Sequence, residues 1–186
     1  GLDYVSYILA VEAIARVDGS QAATVAAGNS LGIGPIYYFG SEEQKKQFIP
    51  VLVSGETIGC FAITEADAGS DVAAMRATAT RSGDDYLING NKIWISNAPV
   101  TNGGLVYAYT DRAQKHRGMS AFYADWNGPG LARKPLETMG AHCSPLGELT
   151  FDNFRIPVAN RLGNEGDGFK ICMLQLNQTR LNCAAC

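Results

Sequence analysis

At 186 residues, 46% hydrophobic and 18% charged, the chain is long enough to bury a core of its own. Its formal net charge is −3 and its 15 Lys and Arg are scattered, with no basic stripe or tail, which argues against nucleic acid and anionic membrane as partners. No apolar run approaches the roughly 18 residues of a membrane span, and the opening residues do not read as a secretory leader.

Both ends read as cut. "GLDYVSYILAVEAIARVD" starts as a helix in progress, and "QTRLNCAAC" stops in helix-forming residues without a cap. In the first helix, Asp3 is placed as the cap and Val5, Ile8, Leu9 and Ala13 as the apolar face. An Ala-rich second helix runs from about Ser20 until Gly32, Gly34 and Pro35 interrupt it. Ser41 and Gln44 then form a capping box, Glu42 and Glu43 complement the dipole of the helix it opens, and Pro50 stops or kinks that helix.

From about Ile58 to Ile156 the pattern turns strand-like. "YLINGNKIWIS" sets two apolar runs around Asn89-Gly90, which predicts a tight hairpin there. In the strand that follows, Lys92, Trp94 and Ser96 should share one face, and Ile93 and Ile95 the other. "GGLVYAYTD", "GMSAFYADW" and "GELTFDNFRI" predict further strands, with Asn127-Gly128-Pro129-Gly130 as a turn. A last helix begins near Gly166 to Gly168 and carries Phe169, Ile171, Cys172, Leu174 and Leu176. Helices, then strands, then a helix, with no β/α alternation, make the class α+β. The expected layout is a helical N-terminal segment over 1–56, an antiparallel barrel- or sandwich-like β-domain over 57–163, and the start of a C-terminal helical bundle over 164–186.

The common phosphate, zinc-protease and serine-hydrolase motifs are absent, and "GIGPIYYFG" and "GNEGDG" both fail the dinucleotide spacing. His116 and His142 stand apart without a converging ligand set, so no metal site is expected. The odd cysteine of five favours a reducing compartment over a disulfide scaffold. Two stretches carry chemistry. In "CFAITEADAGSDV", Thr64 stands at a strand end and Ala68-Gly69-Ser70-Asp71 are small enough for backbone N–H groups to approach an anion; a plain turn capped by Ser70 and Asp71 fits as well. Near the end of "YLINGNKIWIS", Trp94 and Ser96 set an indole beside a hydroxyl, which suits a flat ligand with a polar edge or an ordinary packing Trp.

Taken together, "LAVEAIARV", "FGSEEQKKQFIPVLVSGE", "CFAITEADAGSDV", "YLINGNKIWISN", "MGAHCSPLGELTFDNFRIPVANRLG" and "EGDGFKICMLQLNQTR" resemble, in order and spacing, the acyl-CoA dehydrogenases. These are FAD enzymes that introduce a double bond between the α and β carbons of an acyl-CoA thioester. The resemblance covers essentially the whole chain and implies the later part of an N-terminal helical domain, a complete middle β-domain and the first helix of a C-terminal bundle. It implies that Phe61, Ile63 and Thr64 contact the pyrimidine edge of the flavin, and that Trp94 and Ser96 stand beside the ring and its N5. Gly69 and Ser70 match positions on the FAD pyrophosphate and the CoA arm, while Ser144, Asn177 and Arg180 match positions on the substrate side. Ala66 replaces a Pro common in the family's loop, and Asn177 stands where many relatives have Asp or Gly.

The reaction the resemblance implies needs a carboxylate to take the α-proton as hydride leaves the β-carbon for flavin N5. Some relatives carry that base just before the helix Arg, which here is Thr179 and cannot serve; Glu65 is structural, and the base is expected beyond Cys186. Expected partners are an acyl-CoA, an electron-transfer flavoprotein and further copies of the chain in a homotetramer, in bacterial cytoplasm or the mitochondrial matrix. The alternatives on the same fold are an acyl-CoA oxidase, a non-redox lyase acting on a CoA thioester, and a non-catalytic CoA-thioester-binding module.

Overall fold

A computed structural model describes residues 3–186. Asp3 caps α1 (Tyr4–Ala15) as expected, its carboxylate accepting from the Ser6 amide. The buried side of α1 is not the one its spacing picks. Val11 packs on Ala22 and Ala26 with Tyr7 and Ile14 beside it, while Val5 and Leu9 turn outward, 67% and 59% exposed. Apolar residues surround this helix, so periodicity cannot choose a face and packing does.

Asp18 caps α2 (Gly19–Ala27). The sequence reading has Gly32, Gly34 and Pro35 interrupt the helical run, but they do not end it. The chain passes through a π-helical turn, Gly28–Ile33, into α3 (Gly34–Phe39), where Pro35 sits in the first turn, the part of a helix that best tolerates a missing N–H. The glycines serve close approach instead: a Cβ on Gly32 would lie 2.8 Å from the Gly59 Cα, and one on Gly34 would run into the Gln175 side chain. The capping box of Ser41 and Gln44 opens α4 (Glu42–Val53). Gln44 also donates to the carbonyls of Ala159 and Arg161, which ties that helix start to the β-domain. Pro50 does not stop α4, because Phe48 and Leu52 are buried on either side of it and hold the last turn in place.

The strands are β1 (Phe61–Ala62), β2 (Thr78–Ser82), β3 (Asp85–Ser96), β4 (Gly103–Tyr109), β5 (Met119–Asp125), β6 (Leu131–Leu136), β7 (Leu146–Pro157) and β8 (Arg161–Leu162). They form one sheet in the order β6-β7-β3-β2-β4-β5-β8, with β1 alongside β4. Most neighbours are antiparallel, but β1 and β2 each run parallel to β4, so the sheet is mixed, and it is not closed. Both parallel partners reach β4 through connections far longer than a hairpin turn.

Asn89-Gly90 makes no hairpin. β3 runs through it unbroken, and the turn back from β2 falls at Gly83, with φ +64°. Gly90 has φ +138° at a register shift against β7, and a Cβ there would lie 2.8 Å from Ala77. The glycine therefore serves a bulge and a close backbone approach.

Two cores flank β4, all seven of whose residues are buried. Leu105, Tyr107 and Tyr109 join Ile36, Phe48 and Leu52 of the helices, and so do Ile171 and Cys172 of the last helix, α5 (Gly168–Ala185). Val106 and Ala108 face the other way, into a cluster with Tyr86, Ile88, Phe122 and Phe154. Tyr86 of β3 meets Phe122 of β5 with ring centroids 4.8 Å apart, so the sheet folds back on itself like a sandwich with helices against one outer face. Among the described residues no helix is long and apolar enough to cross a membrane.

Two glycines make opposite predictions. In the intact protein, Gly90→Ala should lower the unfolding free energy by on the order of 2 kcal/mol or more, since backbone strain and overpacking act together. A Cβ on Gly69 meets nothing within 4 Å, and Gly69→Ala should stay within about 0.5 kcal/mol of wild type. Chemical denaturation of both variants checks the pair.

Candidate functional site

Two backbone runs build the site. β1 holds Phe61 opposite Leu105 of β4, and the chain continues through Ile63 and Thr64 into a tight turn closed by two hydrogen bonds of 3.1 Å between Glu65 and Ala68. The second run is the end of β3, whose Ile93 amide donates to the Thr64 carbonyl over 2.9 Å. Between Lys92 and Ile95 the register against β7 shifts, and Trp94 has φ +61°. This bulge overturns the simple alternation the sequence predicts. Lys92 and Ile95 both point inward, at 1% and 2% exposure, while Trp94 stands out at 56%. An extra residue on one strand resets the facing of everything after it.

The result is a cleft of about 160 Å³ that gathers Phe61, Ile63, Thr64, Trp94 and Ser96. Those are five of the seven residues expected to hold a cofactor. Gly69 and Ser70 do not line it; they lie exposed just past the turn, ahead of a short helical turn, Val72–Ala74, capped by Asp71. Sequence reasoning missed the far wall, which Ala27 at the end of α2, Leu31 in the π-helical turn and Leu176 of α5 provide. Their only signal was apolarity, shared with the core. A π-helical turn beside a cleft is a common functional marker, but nothing in "GNSLGI" separates it from α-helix.

Of the residues expected on the substrate side, Ser144 is buried, its amide bonded to the Ala141 carbonyl at 2.9 Å. Its loop reaches the cleft through Asn97, whose amide donates to the Pro145 carbonyl (2.7 Å) and whose side chain donates to the Gly59 carbonyl (3.2 Å). Asn177 and Arg180 are exposed on α5 and hydrogen-bonded to each other at 2.9 Å, outside the cleft lining. Thr179 turns the other way, donating to the Gln175 carbonyl (2.9 Å) and meeting the Ser30 hydroxyl at 3.1 Å.

The cleft's charge lies behind it. Lys92 and Glu65 form an ion pair of 2.9 Å with side chains 0% and 10% exposed. Glu65 also accepts from the Arg76 and Ala77 amides. Burial works against its charge, but Lys92 and these hydrogen bonds outweigh it and hold the carboxyl below its ordinary 4.5. Burial pulls the Lys92 ammonium down, with Glu65 partly offsetting it. The Cys60 thiol in the cleft wall is pushed well up by burial, so it remains a neutral apolar group. Cys183 and Cys186, at C-x-x-C spacing, end α5 as exposed free thiols, and burial followed by the charge of Cys183 raises Cys186. Among the described residues no three His, Cys, Asp or Glu gather as a metal site.

A flat indole, two hydroxyls and an otherwise apolar wall form a set that suits a planar ring with one polar edge. Residues 60–154 match the family described as acyl-CoA dehydrogenase, middle domain, and residues 1–56 the one described as acyl-CoA dehydrogenase, N-terminal domain. The chain belongs to the acyl-CoA dehydrogenase family. A glutaryl-CoA dehydrogenase of Desulfococcus multivorans is 46% identical over the whole chain and 48% of its own length, and an acyl-CoA dehydrogenase of Bacillus subtilis 43% identical over the whole chain and 49% of its own. Butyryl-CoA dehydrogenase of Megasphaera elsdenii superposes with a TM-score of 0.96 at 41% identity, covering all of this chain and 49% of that one. A chain in the structure of the electron transferring flavoprotein of Acidaminococcus fermentans gives 0.97 at 42%, again over all of this chain and 49% of that one. The FAD complex of PigA gives 0.93 at 32%, over 99% and 49%. This acyl-CoA dehydrogenase chain thus spans about half the length of the curated relatives it matches.

The depressed Glu65 pKa fixes a pH dependence. Its stabilising contribution is complete above the unfolded carboxyl's pKa and is lost as pH falls through the folded value. Glu65→Gln in the intact protein should therefore lower stability at neutral pH, and the gap to wild type should close as pH falls through the folded carboxyl's pKa, below its ordinary value. Denaturation midpoints measured across pH check this.

Proposed function

We propose that the intact protein dehydrogenates an acyl-CoA thioester between its α and β carbons with FAD as cofactor, and that this chain supplies one wall of the flavin site. The observation that carries the reading is the meeting of Thr64, Trp94 and Ser96 in one cleft, on backbone runs joined by the Ile93–Thr64 hydrogen bond. FAD, when bound, supplies the two-electron acceptor. Trp94 offers its exposed indole face to a ring, and apolar Phe61, Ile63, Leu31 and Leu176 exclude water from it. The Thr64 and Ser96 hydroxyls are the donors for the ring's polar edge, where preorganised hydrogen bonds stabilise accumulating negative charge. Gly69 and Ser70, open to solvent, are assigned to the pyrophosphate and CoA arm, and Ser144, Asn177 and Arg180 to the CoA side.

Among the described residues no carboxylate lines the cleft, and Glu65 is committed to Lys92 and two amides. We therefore assign the α-proton to a base in the part of the protein that this chain does not include. Names such as butyryl-CoA and glutaryl-CoA dehydrogenase among the relatives support a short acyl group, and the electron transferring flavoprotein structure supports that protein as electron acceptor. The helical 1–56, β 57–163 and 164–186 portions, a homotetramer, and residence in bacterial cytoplasm or the mitochondrial matrix complete the proposal.

Anaerobic mixing of the intact protein with a panel of acyl-CoAs of differing chain length should bleach the flavin absorbance with at least one of them. Thr64→Ala should slow that bleaching by about a hundredfold to a thousandfold, as loss of one preorganised donor to developing charge does. A panel that leaves the flavin oxidised throughout refutes dehydrogenation; rapid peroxide formation in air would assign an oxidase instead.

A further inference from the structure

Lys92 lies two residues before Trp94, yet its side chain is buried away from the cleft. Its ammonium donates to the Ile63 carbonyl at 3.0 Å and to the Glu65 carboxylate at 2.9 Å, and lies 3.7 Å from the Met75 sulfur. The same carboxylate accepts from the Arg76 amide at 2.6 Å and the Ala77 amide at 3.0 Å, at the entry to β2. Thr64 therefore sits between two residues that are both tied to Lys92, and its own carbonyl accepts from Ile93.

Burying a charge pair is costly, and an apolar pair of similar volume would pack without that cost. What the ion pair adds is register. Only one offset of Ile63–Glu65 against Lys92–Trp94 satisfies all of these partners at once. The bulge at Trp94, with a bulky side chain at φ +61°, persists only where surrounding contacts over-determine it.

We propose that Lys92 and Glu65 form a positioning clamp that sets the Thr64 hydroxyl against the Trp94 indole, and through them the hold of the cleft on its ring. This rests on the flavin reading of the cleft. Neither residue lines the cleft; both act through the backbone on either side of it.

The test uses the intact protein with Lys92→Met, Glu65→Gln and the double variant. Each single change should lower the melting temperature, and the double variant should regain most of the loss, because no charge is left buried and unpaired. The FAD dissociation constant of the double variant should nonetheless stay at least ~10-fold weaker than wild type, a loss that a purely structural pair would not leave behind. The 19F resonance of 5-fluorotryptophan at position 94, assigned by its disappearance in Trp94→Phe, should shift or split. A double variant with restored melting temperature, FAD affinity within about twofold of wild type and an unmoved resonance overturns the clamp. Where the double variant does not fold, Glu65→Gln carries the same readouts and an unmoved resonance overturns the clamp there. A wild-type protein that binds no FAD overturns the flavin reading instead, and the fluorine resonance alone then decides the clamp.

Discussion

Every residue of β4 is buried, with Leu105, Tyr107 and Tyr109 under the helices and Val106 and Ala108 inside the folded sheet. Such a strand cannot slip by one residue without driving its tyrosines into the wrong layer. Each large side chain fully buried contributes about 1.5–3 kcal/mol, so misplacing several of them would cost an amount comparable with a domain's usual margin of stability. β4 is the fixed frame on which β1 aligns, Phe61 opposite Leu105 and Ala62 opposite Val106. That pairing sends Phe61 and Ile63 toward the helices, where Ala27, Leu31 and Leu176 complete the cleft.

Among the described residues, three of the five non-glycine positions with positive φ fall close together, while Lys115 and Asn153 lie elsewhere. Trp94, Asn97 and Ala141 all have positive φ, at 61°, 66° and 54°. They occupy the end of the Trp strand and the Ser144 loop, and Asn97 joins the two through its bonds to Gly59 and Pro145. Non-glycine residues in this region of backbone space cost free energy and persist where packing enforces them, which is typical of binding sites. The bulge at Trp94 gives the cleft its one large exposed aromatic face while Lys92 and Ile95 remain inside.

The cleft lining is mostly apolar, with few polar groups. In such surroundings a hydrogen bond to a ligand is stronger than in water, and an unpaired polar group is more costly. Two hydroxyls on an apolar wall therefore orient a ligand with little ambiguity. The charges that shape the site stand one layer back, neutralised by each other and by backbone amides, and the buried thiol of Cys60 adds volume without reactivity.

The caps at Asp3 and Ser41, the strand stretches and the family blocks were all legible in the sequence, since each depends on residues a few positions apart or on a long ordered pattern. The outward face of α1, the continuous β3 through Asn89-Gly90 and the reset after Lys92 were not. In each case a distant segment decides: α2 against Val11, Ala77 against Gly90, Glu65 against Lys92. The sequence by itself determined the α+β class, the family, and the identity of the Thr64, Trp94 and Ser96 groups. Only the tertiary structure decided that these three share a cleft, that Gly69 and Ser70 stand outside it, and that α2, the π-helical turn and α5 form its far wall. The reason is physical: capping and turn preferences act over a few bonds, whereas strand register and helix facing are set by which buried surfaces meet.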